Sequence, residues 1–237
     1  MNSSKRLCVG IPVVGQVSGV VYFSHLATMV PLTKCFQLVI PQCLDVFPHD
    51  RARERIITEA LRLECDYLYF IDSDMLVPPG AALRLYQVMQ DTGAVMTTAH
   101  AYRRGYPYTG VWTIKSEEAA YMTNIEAAPD SRPMEIHSAG LACNLIDLNW
   151  VRENLKPPYF FQGKWMQPDG SIESVWEDAF FCQSIRQFGG KIIGVPDVRV
   201  GHYDTSVGVI DDETVVWLRQ RVIQQTAVED EKILPSA

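Results

Sequence analysis

Two aspartates separated by one residue follow an apolar segment of this chain. Asp72 and Asp74 come directly after residues 67–71, which are Tyr, Leu, Tyr, Phe and Ile. A buried strand of this kind cannot hold unpaired charge, so we expect the acids at its carboxyl end, where ligands of open α/β sheets bind. A Mg²⁺ or Mn²⁺ ion that carries a diphosphate needs only one or two protein carboxylates. The pair therefore predicts a divalent cation with a phosphate-bearing substrate, although chain turning and helix capping would also explain it.

A second acidic pair, Glu177 and Asp178, starts a predicted helix after a segment rich in Gly, Pro and polar residues. The helix dipole favours acids in the first turn by roughly 0.3–1 kcal/mol and keeps them ionised near neutral pH. Capping alone would account for the pair. If the helix faces the cation, an ionised Asp178 or Glu177 has the charge that a general base needs to deprotonate a substrate hydroxyl.

His202 is the third candidate, in the segment Val198-Arg-Val-Gly-His-Tyr-Asp204 at the exit of a predicted strand. From there an imidazole can point into a cleft and complete the coordination shell of a cation. A histidine by itself is more often structural, so this prediction depends on the acidic pairs lying nearby.

The bulk composition is that of a folded protein. The chain has 237 residues, of which 47% are apolar and 21% charged, and this favours one domain with a full core. The net charge of -7 gives no general reason to bind nucleic acid or an anionic membrane. Six cysteines show neither a CxxC pair nor a zinc-ligand spacing, so buried free thiols are expected. The N-terminal stretch predicts a strand rather than a signal sequence, and no stretch has the length of a membrane span, so we expect a cytoplasmic protein.

The predicted elements of the first half alternate as in βαβ units and favour a mainly parallel sheet flanked by helices. Strands are predicted at 7–14, 36–41, 67–71 and 94–99, and helices at 20–30, 50–64 and 81–90. The segment 100–110, with three tyrosines and two arginines, is predicted to be a loop that lines a site.

The second half has a more mixed pattern. Strands of mixed direction are predicted at 110–115 and 134–146, an edge strand or loop at 157–161, and a flexible insert at 162–174. A helix is predicted at 177–188, short strands at 191–195 and 198–200, a terminal helix at 211–225, and a loose tail beyond 229.

Motifs along nearly the whole chain resemble those of nucleotide-sugar glycosyltransferases of the GT-A fold, in the broad family-2-like group. They are Ile11-Pro12 after the first strand, Asp50-Arg-Ala-Arg53, Phe70-Ile-Asp-Ser-Asp-Met75, His137-Ser-Ala-Gly140, Trp176-Glu-Asp-Ala179 and Gly201-His202. The resemblance implies a single GT-A type domain with a Rossmann-like mixed, mainly parallel sheet. It also implies a nucleotide-binding half at 1–99, an acceptor-binding half at 100–228, and a tail at 229–237.

The resemblance also implies the roles of the site residues. The cation ligands would be Asp72, Asp74 and His202; the residues contacting the nucleotide would be Pro12, Arg51, Arg53, Asp72 and Ser73. Independently of the resemblance, the loop position of Arg103 predicts a contact with the diphosphate or with the acceptor, although exposed arginines are also common in loops. Asp178, with Glu177, would be the catalytic acid pair near the acceptor. Trp176, which lies next to this pair and after a loop, is predicted from that position to contact the acceptor. Relatives often carry Asn where this chain has Glu54, and Arg51 and Arg53 could instead be solvated charges at a helix start.

The function predicted from this resemblance is transfer of a sugar from a nucleoside diphosphate sugar to a hydroxyl acceptor, with Mn²⁺ or Mg²⁺. The acceptor could be a glycan, a lipid, a protein or a modified nucleobase, and the oligomeric state is open. One alternative is a haloacid-dehalogenase-like phosphohydrolase, although Met75-Leu76 replaces the usual Thr or Val after its second Asp. Another is a catalytically silent sugar- or nucleotide-binding module. A nucleotidyltransferase is disfavoured because no Gly-rich phosphate loop follows the first strand.

Overall fold

The computed structural model describes residues 5–13, 15–40, 48–102, 112–115, 122–125, 127–166, 169–205 and 208–211. The helices are α1 (Gly19–Leu32), α2 (His49–Arg62), α3 (Ala81–Thr92), α4 (Leu148–Asn154) and α5 (Glu177–Gln187). The strands are β1 (Arg6–Gly10), β2 (Gln37–Val39), β3 (Tyr67–Ile71), β4 (Met75–Leu76), β5 (Met96–Ala101), β6 (Trp112–Lys115), β7 (Met122–Ile125), β8 (Met134–Glu135), β9 (Ser138–Ala139), β10 (Cys143–Asp147), β11 (Gly163–Met166), β12 (Ile172–Val175), β13 (Ile192–Asp204) and β14 (Gly208–Ile210).

The central sheet confirms the predicted fold class. Its strand order is β14-β13-β5-β10-β3-β1-β2, with β4 and β8 also pairing with β13. Strands β1, β2, β3, β5 and β13 run in one direction, and β10 is inserted antiparallel between β3 and β5. The result is an α/β sheet that is mixed but mainly parallel, with helices on its faces.

Strand β3 carries side chains into the core on both faces of the sheet. Its odd-numbered residues, such as Tyr69 and Ile71, join the apolar cluster that includes residues of α3. Its even-numbered residues, Leu68 and Phe70, join the cluster that includes residues of α2 and α5. A strand buried on both faces reads as a continuous apolar run. The next residue, Asp72, is therefore the first position at which this strand can present a charge.

Two predictions of secondary structure are wrong. Residues 163–166 and 172–174 of the predicted flexible insert are instead in strands, because β11 and β12 pair antiparallel, with Gly163 opposite Val175, and lead directly into α5. The segments 191–195 and 198–200 are not separate short strands, because β13 is continuous from Ile192 to Asp204 and its register against β5 shifts between Val195 and Arg199. Its partners, not its local sequence, keep the chain extended through this bulge.

Other predicted segments agree with the structure or lie outside its described part. Residues 157–161 form a loop, which was one of the two predicted possibilities. The predicted terminal helix at 211–225, beyond its first residue, and the tail at 229–237 lie outside the described residues. Within the part of the chain that is described, no helix is long and apolar enough to cross a bilayer.

The cysteines for which the structure gives an environment are mostly buried, as predicted. Cys8, Cys65, Cys143 and Cys182 are buried free thiols, whereas Cys35 is exposed. Burial raises the pKa of both Cys143 and Cys182 to about 12. These two thiols therefore do not supply a thiolate nucleophile near neutral pH.

Glu54, the residue that differs from the Asn expected from the resemblance, holds the loop between α4 and β11. Its Oε2 accepts hydrogen bonds from the backbone N–H groups of Tyr159 and Phe160 at 2.8 and 2.9 Å. The Phe160 ring packs against Phe70 and Phe181. The carboxylate of Glu54 therefore connects α2 to the loop that leads towards α5.

We expect Glu54→Ala to destabilise the protein by about 1–3 kcal/mol, because two backbone donors lose a charged acceptor. The melting temperature should then fall by roughly 2–4 °C for each kcal/mol in a domain of this size. Differential scanning fluorimetry measures the change, and Glu59→Ala on the same helix is the control, since the side chain of Glu59 forms an exposed ion pair with Arg62. Equal melting temperatures for the two variants would show that Glu54 does not hold the loop.

Candidate active site

The acidic turn after β3 is fixed to the end of β13. The N–H of Met75 donates to the carbonyl of Asp72 at 3.1 Å, and the N–H of Tyr203 donates to the carbonyl of Asp74 at 2.7 Å. Just beyond the turn, β4 pairs with β13 so that Met75 lies opposite His202. This pairing brings the two aspartates and the histidine to one end of the sheet.

His202 contacts a different acceptor through each ring nitrogen. Nδ1 lies 2.9 Å from the carbonyl oxygen of Tyr102, and Nε2 lies 3.2 Å from Oδ2 of Asp74. A carbonyl oxygen can only accept, so Nδ1 carries the proton of this hydrogen bond. In the neutral imidazole, Nε2 then presents a lone pair to a carboxylate oxygen that is itself an acceptor. Two acceptor atoms this close, Nε2 of His202 and Oδ2 of Asp74, need a positive charge between them, which can be a proton or a metal cation.

The geometry of Asp74 and His202 suits a divalent cation. A ring proton donated from Nδ1 to a backbone carbonyl fixes the tautomer in which Nε2 carries the lone pair, and this is the tautomer that metal-binding histidines use when they ligate through Nε2. The described residues contain no cluster of three or more His, Cys, Asp or Glu side chains arranged to hold a metal. A cation that binds together with a diphosphate does not need three, because substrate oxygens and water complete its shell.

Asp72 is held by a buried arginine. Nη2 of Arg53 donates to Oδ1 of Asp72 at 2.8 Å, and Nη1 donates to the carbonyl of Leu141 at 3.3 Å. The guanidinium carbon also lies 5.5 Å from the centre of the Phe70 ring. Arg53 is 5% exposed, so the possibility that it is a solvated charge at a helix start is wrong. Arg51, two residues earlier, is exposed.

The second acidic pair faces the first across Arg53. Oε1 of Glu177 lies 3.6 Å from Nε of Arg53, an ion pair that joins the start of α5 to α2. Oδ1 of Asp178 accepts from the N–H of Ala179 at 2.7 Å. Desolvation by the surrounding protein, followed by repulsion from Glu177, raises the pKa of Asp178 above its ordinary value. A carboxyl group perturbed in this way in a cleft is typical of catalytic acids and bases.

Tyr102 and Arg199 were not predicted as site residues, and they support His202. Nη2 of Arg199 donates to the phenol oxygen of Tyr102 at 2.7 Å, and Nη1 donates to the carbonyl of Ala127 at 3.0 Å. The register shift in β13 lies just before Arg199 and precedes His202 by a few residues. Bulges next to active sites often redirect side chains in this manner. The three tyrosines of segment 100–110 gave the only sequence signal for Tyr102.

One cavity of about 390 Å³ collects most of the predicted residues, and this volume lies in the usual range for a small-molecule site. Those that line it are Pro12, Arg53, Asp72, Ser73, Asp74, Glu177, Asp178 and His202. His49, Tyr102 and the segment from Gly140 to Ala142 line it as well. Arg51 and Trp176 are not in the lining; Trp176, which is 59% exposed, directly precedes Glu177. Arg103 lies outside the described residues.

Comparison with known proteins identifies the fold. No family model and no curated protein matches this chain. Among solved structures, the crystal structure of A197 from STIV matches 89% of this chain and 91% of its own, with a TM-score of 0.61 and 16% identity. The crystal structure of GalNAc-T7 with UDP, GalNAc and Mn2+ matches 84% of this chain and 43% of its own, with a TM-score of 0.52 and 12% identity. At these identities the similarity shows a GT-A-like, glycosyltransferase-like fold and not a function.

Proposed function

We propose that this protein is a metal-dependent glycosyltransferase that moves a sugar from a nucleoside diphosphate sugar to a hydroxyl acceptor. The observation that carries this proposal is the single cavity in which Asp74 and His202 face each other while Asp178 stands at a helix start on the same cavity. Both the cation ligands and the base that this reaction needs would then be within one substrate's reach. The fold shared with GalNAc-T7, whose structure contains UDP, GalNAc and Mn2+, supports the same reaction class.

Asp74 and His202 are the proposed cation ligands, because a cation bound to Nε2 and Oδ2 would supply, in place of a ring proton, the positive charge that this facing pair needs. When bound, Mn²⁺ or Mg²⁺ would neutralise the departing diphosphate. Asp72 has its charge partly compensated by Arg53, so we assign it to hydroxyl groups of the nucleoside or to water-mediated contact with the cation. Arg53 would hold Asp72 and Glu177 in place rather than contact the diphosphate directly.

Asp178 is the proposed general base. In the inverting reaction it would take the proton of the acceptor hydroxyl as that oxygen bonds to the anomeric carbon and the bond from this carbon to the diphosphate oxygen breaks. Its raised pKa brings its proton affinity closer to the operating pH, which favours general base catalysis. If the reaction retains the anomeric configuration, the same carboxylate would only orient the substrate. The exposed indole of Trp176, next to this pair, is the proposed acceptor contact.

The geometry favours the glycosyltransferase over the phosphohydrolase. A phosphohydrolase of the haloacid dehalogenase type would use the first aspartate as its nucleophile. Here Oδ1 of Asp72 is engaged by a buried guanidinium, which stabilises the carboxylate and lowers its nucleophilicity. The perturbed Asp178 has no equivalent function in a module that only binds a sugar or nucleotide.

A thermal-shift screen of UDP-, GDP-, dTDP- and CMP-sugars, with Mn²⁺ and with EDTA, tests the proposal. We expect one donor class to raise the melting temperature only when Mn²⁺ is present, because a ligand at about 100 times its Kd stabilises by about 2.7 kcal/mol. This corresponds to a shift of roughly 5–10 °C. Mn²⁺ without a nucleotide is the matched control. If no nucleotide sugar gives a metal-dependent shift, while a phosphoryl-enzyme can be trapped, the phosphohydrolase is the correct assignment.

A further inference from the structure

Helix α1 turns its polar side chains inwards and exposes several apolar ones, which is the reverse of the usual arrangement in a surface helix. Its polar side chains point inwards: Ser24 donates to the carbonyl of Val77, His25 contacts that of Met75, and Thr28 donates to that of Pro78. Its exposed residues are all apolar or glycine, namely Gly19, Val20, Tyr22, Phe23, Leu26, Ala27 and Val30. A surface helix normally turns its polar face to water. The outer face of α1 therefore has the composition of an interface.

The spacing on this outer face indicates that its partner is another helix. Val20, Phe23, Ala27 and Val30 follow one another at intervals of three, four and three residues. These intervals are those of the a and d positions through which two helices pack side by side. Ala27, in the middle of the seam, leaves room for the close approach of a second helix axis.

The exposed area is large enough for self-association. Phe23 is 70% exposed, Tyr22 54%, Val30 64%, Val20 50% and Leu26 40%. Together these side chains present on the order of 500 Å², near the upper end for a soluble monomer. Two such faces in contact would bury on the order of 1,000 Å², which is where specific protein interfaces begin.

We propose that this face binds a second copy of the same chain, with α1 packed antiparallel against its counterpart around a two-fold axis. A face without charges needs an apolar partner of matching length, and the identical face of a second copy supplies one. Two-fold dimers are also the commonest oligomers, and their interfaces use the same surface of both subunits.

Two other occupants fit the face less well. Helices that lie on a membrane surface carry Lys and Arg beside their apolar face, but α1 contains no charged residue and the chain has a net charge of -7. The C-terminal segment 212–225 has charges at Asp212, Glu213, Arg219 and Arg221. These charges would narrow any apolar stripe on this segment, whereas the outer face of α1 contains no charged residue and needs an apolar partner.

Sedimentation velocity of the full chain at micromolar concentration tests this proposal. We expect the wild type to sediment at twice its 26.7 kDa. Phe23→Glu, Ala27→Glu and Ala27→Lys should each sediment as a monomer, because a charge would be buried in the seam. Phe188→Glu is the control, since Phe188 is 56% exposed at the end of α5 and lies outside the proposed interface. This variant should remain a dimer.

An equal mixture of Ala27→Glu and Ala27→Lys gives the most specific result. Residue 27 of one copy lies near residue 27 of the other in the proposed dimer, so each variant alone brings two like charges together. Only the mixed dimer pairs Glu with Lys, so the mixture should dimerise although neither variant does so by itself. Recovery of the dimer also requires that both variants be folded. A monomeric wild type, or a dimer that survives all three substitutions in α1, would overturn the proposal. So would a monomer that binds vesicles of phosphatidylcholine and phosphatidylglycerol through α1.

Discussion

Replacing Asp74 with asparagine is expected to lower kcat/KM for sugar transfer by about 10³-fold. The substitution preserves the size of the side chain but removes the charge that faces His202. Two opposite unit charges about 4 Å apart at an effective dielectric of 20 attract by roughly 4 kcal/mol. Loss of that energy from the leaving-group step corresponds to a factor of about 10³. The stabilisation by donor and Mn²⁺ together should disappear in the same variant.

Steady-state kinetics and thermal shift measure both effects of Asp74→Asn. The matched control is Asp197→Asn, which removes a carboxylate from the same strand as His202, but at an exposed ion pair with Arg84. That pair lies outside the cavity lining and should contribute little. If Asp74→Asn retains the Mn²⁺-dependent shift, the cation does not bind at this aspartate and the assignment of the site fails.

The second large effect is expected for Asp178→Asn, which should lose activity and gain stability. Removal of a general base costs about 10²–10⁴-fold in rate. The pKa of Asp178 is raised by desolvation and then by Glu177, so its ionised form destabilises the folded state. Asparagine removes this cost and still offers an oxygen to the N–H of Ala179. The melting temperature at neutral pH should therefore rise.

The pH dependence of this effect has a definite sign. A group whose folded pKa is raised binds its proton more tightly in the folded protein than in the unfolded chain. The gain in stability from Asp178→Asn should therefore be complete above the raised pKa and disappear as the pH falls towards the ordinary pKa of aspartate. Melting curves of wild type and variant across this acidic range provide the measurement.

The kinetic counterpart uses Glu177. In a profile of activity against pH, wild-type activity should fall at acidic pH as Asp178 becomes protonated. In Glu177→Gln this fall should occur at lower pH, because the substitution removes a repulsion that raises the pKa of Asp178. A variant Asp178→Asn with more than a tenth of the wild-type rate would instead assign Asp178 to substrate orientation, as expected for a retaining enzyme.

The elements that present the acidic pairs could be predicted from the sequence because their signals are local. Residues 67–71 form an uninterrupted apolar run that ends at Asp72, and the observed strand β3 has these bounds. Acids followed by apolar residues at helical spacing marked the start of α5 at Glu177. The Pro78-Pro79-Gly80 segment likewise marked the start of α3 at Ala81.

The environment of Arg53 could not be predicted in this way. A helical wheel shows that Arg51 and Arg53 lie on different faces of α2, but not which face meets the sheet. The structure buries Arg53 against Asp72 and leaves Arg51 exposed. The cost of burying a guanidinium is offset only where carboxylates and a carbonyl are already in place. These groups come from the residue after β3, from the start of α5 and from the segment before β10.

The sequence by itself determined which ionisable groups lie at the ends of strands and helices, and that these strands and helices form an α/β fold. Both could be predicted because apolar periodicity and capping act over a few neighbouring residues. Only the tertiary structure decided that Asp74 faces His202, 128 positions later in the chain. That contact depends on the pairing of β4 with β13 and on the register shift of β13 against β5. Strand pairing and packing set both, and no local pattern in the segment 191–204 encodes them.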